Sequence, residues 1–92
     1  MKRLPIATVS VGHHPQAVAV DESTNLVYVA NTLDSTITVI DGASNKVAAT
    51  LKGGKNPHAI AVDAPAGAVY VADESDLYFT RIDVSGLKKT TP

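Results

Sequence analysis

The sequence predicts an all-β protein made of two tandem, four-stranded antiparallel units. Three observations carry that prediction. GHHPQAVAVD, beginning at Gly12, returns as GKNPHAIAVD at Gly54. LVYVAN, ending at Asn31, returns as AVYVAD, ending at Asp73, and TITVID, ending at Asp41, returns as YFTRID, ending at Asp83. All three pairs share one ungapped offset of 42 residues, a period in the range of the blades of stacked β architectures.

Each copy reads as short strands separated by turn chemistry. Residues 17–20 and 26–30 are apolar on both faces, as expected of strands covered on both sides of a sheet. Residues 36–40 alternate polar and apolar and are rich in β-branched side chains, which suit a pleated surface. Residues 47–51 form a weaker fourth strand. In the second copy 59–62, 68–72 and 77–82 repeat the first three. Between them, 21–25 and 31–35 hold Asp, Asn, Ser and Thr, which hydrogen-bond their own backbone and tolerate left-handed φ. Asp41-Gly42 opens a loop of hairpin length. Nothing reads as a helix of useful length.

Numbered a to d from the inside of each unit outward, the strands run d (6–11), abcd, then abc. The phase d-abcd-abc assigns one repeat to about 12–53 and the next to about 54–92, with 4–11 as an extra outer strand. The tail 86–92 falls where a further outer strand would sit, but Lys88-Lys89-Thr90-Thr91 is too polar to predict one.

Composition sets the outer limits. Val and Ala dominate the apolar residues, with one Phe, three Tyr and no Trp, so the sheets must pack closely to bury useful volume. A net charge of −1 and basic pairs confined to Lys2-Arg3 and Lys88-Lys89 argue against a nucleic-acid footprint. Without Cys there is neither a disulfide nor a thiolate metal site. No stretch approaches the roughly 20 apolar residues of a membrane helix. Met1-Lys2-Arg3 is followed by Pro5 and an alternating IATVSV rather than by a signal-peptide apolar region.

At YVAN (Tyr28 to Asn31) and TVID (Thr38 to Asp41), preceded by GHHPQAVAVD, the chain resembles the YVTN repeat family. The first copy follows the family pattern throughout. The second keeps Gly54, Pro57, Tyr70-Val71-Ala72 and Ile82-Asp83, and departs at Asp73, at Arg81 and at Val84-Ser85-Gly86. The resemblance implies blades of a lactonase-like β-propeller, commonly of seven, in proteins usually exported to the periplasm or cell surface. Two blades do not close a ring, so the expected partners are other blades, from a longer chain or from further copies of this one. Three copies would give six blades and four would give eight.

His13, His14 and His58 are the candidate metal ligands, because all three fall in the loops that lead from an outer strand to the next inner one. Their spacing is no metal motif, and His58 aligns with Gln16 rather than with a histidine. Solvated loop residues are the expectation, with no cofactor. Asp21, Asp63, Asp41 and Asp83 end strands, where carboxylates either cap turn amides or gather to bind calcium; capping is expected. Tyr28 and Tyr70 are expected to fill the space between blades. No nucleophile–base pair, phosphate loop or metalloprotease motif is present, and Ser10 near His13 has no supporting pattern. The leading functional expectation is a non-catalytic binding or scaffold module. The rival is a fragment or subunit of a lactonase-like or redox-complex enzyme with a metal at the channel mouth.

Overall fold

Hairpins generate the architecture. The computed structural model describes residues 8–73 and 79–87. Seven strands follow in order: β1 (Pro15–Asp21), β2 (Leu26–Asn31), β3 (Thr36–Asp41), β4 (Lys46–Lys52), β5 (Pro57–Asp63), β6 (Ala68–Asp73) and β7 (Phe79–Asp83). A 3-10 turn, Ser85–Leu87, follows β7. β1 to β4 form one antiparallel meander and β5 to β7 a second. The β1–β2 and β2–β3 pairings recur 42 residues on as β5–β6 and β6–β7, down to the bulge between Pro15 and Ala17 and its counterpart between Pro57 and Ala59.

The turns explain why the strands reverse where they do. The four-residue loops after β1, β2, β3 and β5 each end in a left-handed residue: Asn25, Ser35, Asn45 and Gly67, with φ of 58°, 58°, 60° and 63°. Asn and Gly are the residues that visit this region most readily. Ser35 has no such intrinsic preference; its hydroxyl donates to the Lys55 carbonyl and its own carbonyl accepts the Gly53 amide.

The core lies between the sheets, where β5 lies against β1 and β2. Register puts Ala19, Tyr28 and Val39 in one row, and Ala17, Ala30 and Ile37 in the next, on the same face of the first sheet. Tyr28, Ala30, Ile37 and Val39 are buried there against Val69 and Val71 of the second sheet. Tyr28, the largest side chain in the core, is 1% exposed. At roughly 25 cal/mol per Å² of apolar area, this one layer of packing is the main force joining the sheets.

Three expectations need revision. The outer strand at 6–11 lies partly outside the described residues, and its described part, Thr8 to Val11, is not in a strand. The phase d-abcd-abc assigns this strand to a blade whose other strands lie elsewhere, so its expected partner is not on the first sheet. Nor are the apolar strands covered on both faces: Val18 is 63% and Val20 55% exposed. The last expected strand begins at Phe79, and residues 77 and 78 lie outside the described residues, as does the tail from 88. The expected inter-sheet place of Tyr70 also changes. Tyr70 is half-buried on the outward face of the second sheet, where it meets Phe79 edge-on with ring centroids 5.6 Å apart.

Candidate functional site

Antiparallel winding divides the loops between two ends of the molecule. One end gathers 12–14, 32–35 and 53–56; the other gathers 22–25, 42–45, 64–67 and 84–87. The histidines fall at the first end and the four strand-ending carboxylates at the second.

The histidine end is a hydrogen-bonded seam across the two sheets. The His13 amide donates to Asp34 Oδ2 and its Nδ1 lies 2.8 Å from Asp34 Oδ1, clamping the segment before β1 to the loop after β2. These two contacts, the amide first, hold the Asp34 carboxyl below the usual range. His14 adopts φ 58°, and its carbonyl accepts the Thr32 amide at 3.0 Å. Thr32 is buried, and its one hydroxyl hydrogen faces both Gln16 Oε1 at 2.8 Å and the Pro57 carbonyl at 2.6 Å. Gln16 turns its amide nitrogen to His58 Nδ1 at 2.8 Å. Since that nitrogen donates, His58 accepts at Nδ1 and carries its hydrogen on Nε2.

Sequence alone did not identify three members of this seam, Gln16, Thr32 and Asp34. Their contacts span 16 to 42 residues, and no local pattern encodes them. One signal was available: Gln16 and His58 occupy the same place in the repeat, and equivalent inner-strand positions of adjacent blades are neighbours.

The structure does not bring the three imidazoles to a common point. His13 is tied to Asp34, His58 to Gln16, and His14 contributes through its backbone. Among the described residues no group of three or more His, Asp, Glu or Cys side chains could hold a metal ion. Beneath the seam, Asn31 donates to Thr36 Oγ1 at 3.2 Å and to Thr38 Oγ1 at 2.7 Å. Asp73 stands at the equivalent place and is likewise buried. Gly54, at φ 90°, presses its Cα against this carboxylate so closely that a Cβ would come within 2.6 Å of Oδ1.

At the other end every strand-ending carboxylate caps its own turn. Asp21 accepts from the Ser23 amide at 3.0 Å and hydroxyl at 2.6 Å, and the hydroxyl bond is the main reason its carboxyl sits below the usual range. Asp41 accepts from the Ala43 amide, Asp63 from Ala66 and Asp83 from Ser85. The Ser85 amide likewise lowers Asp83. A cleft of about 290 Å³ opens between these turns, lined by Asp21, Leu26, Tyr28, Pro65 and Val84 among others. Burial, and then the charge of Asp21, push the Tyr28 phenol up.

Comparison with known proteins places the fold. The described chain is similar to the structure "Kuenenia stuttgartiensis Hydrazine Synthase", a β-propeller-containing protein, with a TM-score of 0.70 at 24% identity. The match covers 84% of this chain and 22% of that one. The molecule is therefore all-β, with two antiparallel sheets arranged as propeller-like blades. No family model and no curated protein matches the sequence. No helix among the described residues is long and apolar enough to cross a membrane.

Proposed function

We propose that the chain is a pair of YVTN-type propeller blades, bounded at about 12–53 and 54–92, that acts as a non-catalytic binding module. Its docking surface is the seam end, where loops on a rigid double sheet meet a protein or small-molecule ligand. The observation that carries this reading is how the polar groups are engaged. The four strand-end carboxylates cap turns, His13 clamps two loops together, and His58, which lies in β5 and not in a loop, ties that strand to β1. Groups committed in this way build a surface; a reaction centre needs them to converge on one point. The YVTN pattern is supported by the work its residues do. Tyr28 fills the space between the sheets, and Asn31 ties the strand end to Thr36 and Thr38.

The likeness to hydrazine synthase is a likeness of fold and brings no reaction with it. Metal analysis of the purified chain, followed by zinc titration, separates binding module from enzyme subunit. The expected result is no stoichiometric metal, with His13→Ala and His58→Ala leaving zinc uptake unchanged. One metal per chain, lost on either substitution, would overturn the proposal.

A further inference from the structure

Each sheet has two faces, and the chain buries one of each. The first sheet turns Ala17, Tyr28, Ala30, Ile37 and Val39 inward. The second turns in its opposite face, with Ile60, Val62, Val69, Val71 and Ile82. Two faces are left open over most of their area, with Asn31 and Thr38 buried at the seam end of the first. Shifted by one repeat, the open face of the first sheet (Val18, Val20, Val27, Val29, Ile40) is the inward face of the second, position for position, with only Val and Ile exchanged. The open face of the second sheet (Ala59, Tyr70, Ala72, Phe79, Arg81) corresponds in the same way to the inward face of the first.

A sheet face turned to water normally carries polar side chains at alternate positions. Here Val18, Val20 and Phe79 are 63%, 55% and 61% exposed, and nothing among the described residues covers them. We infer that a second copy of this chain covers them: the second sheet of one copy packs on the first sheet of the next, head to tail, repeating between chains the interface already made within one.

The substitutions on the second sheet fit such a contact. Phe79 replaces Ile37 and is held edge-on by Tyr70. Arg81 replaces Val39; it is exposed, stands opposite Tyr70 in register, and shares its sheet with Asp83 and Asp63. The junction also brings His58 of one copy beside Gln16 of the next, the pair that already meets within the chain at 2.8 Å.

The contact joins two different faces, so a dimer still exposes one of each, and association continues until a ring closes. The expected assembly holds three or four copies. This inference concerns assembly and stands whether or not the seam binds a ligand.

Analytical ultracentrifugation of the full chain tests it, with two variants that each spoil one face at an already exposed position. Wild type is expected as a discrete trimer or tetramer. Val18→Lys alone and Phe79→Lys alone are expected to be folded monomers, with wild-type circular dichroism. Mixed in equal amounts they retain one intact pair of faces and are expected to form a one-to-one heterodimer and nothing larger. A wild type that stays monomeric at the highest concentration reached would sink the inference. So would assembly that survives either substitution, or a mixture of the two variants that stays monomeric.

Discussion

The two sheets are copies of one repeat, yet they carry their burial on opposite faces. Tyr28 is sealed between them while Tyr70, its equivalent, is half-buried on an outer face. Ile60 packs against the core while Val18 stands in water. Position in the stack, rather than residue type, decides what each side chain contributes. In a repeat protein stability is a sum of intrinsic repeat terms and neighbour terms, and here the neighbour term falls on one face per sheet.

The largest expected effect tests that directly. Tyr28→Ala should cost about 3–5 kcal/mol, as removal of a buried aromatic side chain does. Tyr70→Ala should cost about 1 kcal/mol, since it gives up a part-exposed ring and its edge contact with Phe79. Urea denaturation of chains diluted below any association measures both. Equal losses would show that the two sheets are stabilised alike and would refute the one-face account.

The same contrast shows which features could be read from sequence. Strand positions and the turns at 21–25 and 31–35 were legible, because apolar runs and Asp, Asn, Ser and Thr act through the local backbone; the left-handed Asn45 and Gly67 emerge only from the structure. Asp21 and its equivalents were legible as caps for the same reason. The burial of one face and not the other was not legible, because Val18 and Ile60 look alike in sequence and differ only in what lies opposite. Asp34 was missed as a partner of His13 for a related reason: the loop that presents it is brought close only when β1 and β2 pair. The exchange of Asn31 for Asp73 was visible as a departure from the repeat. What it removes, the donor that serves Thr36 and Thr38 in the first sheet, needed the structure.

A smaller effect separates the turn caps. Asp21 accepts two bonds from Ser23 and is buried, whereas Asp63 accepts one longer bond of 3.4 Å from Ala66. Asp21→Ala should cost about 1–2 kcal/mol and Asp63→Ala about 0.5 kcal/mol. The Asp21 carboxyl lies below its unfolded value, so its contribution is complete above the unfolded pKa of about 4 and is lost as pH falls through the folded one. Asp34 and Asp83, also lowered, act in the same sense. Chemical denaturation from neutral to acid pH should show stability falling below about pH 4, with a shallower fall in Asp21→Asn. An unchanged slope in that variant would remove Asp21 as a source of the acid sensitivity.

The smallest effect concerns one turn position occupied by different residues. Asn25 and Gly67 are equivalent, with φ of 58° and 63°. In Asn25→Gly, relief of left-handed strain is offset by the greater freedom of Gly in the unfolded chain, so the net change should stay within about 0.5 kcal/mol. Gly67→Asn is different. A Cβ there would stand 3.0 Å from Ser85 Cβ and 3.3 Å from its Cα, at the point where the Val84 amide bonds the Gly67 carbonyl. Asn tolerates the backbone angle, so the cost of about 1 kcal/mol should arise from displacing Ser85. Ser85→Gly removes the Cβ that Asn would meet at 3.0 Å and leaves the 3.3 Å contact with Cα; placed in the Gly67→Asn chain, it should recover most of the loss in a double-mutant cycle. If it recovers none, the difference between the two turns lies in backbone preference and not in the contact with Ser85.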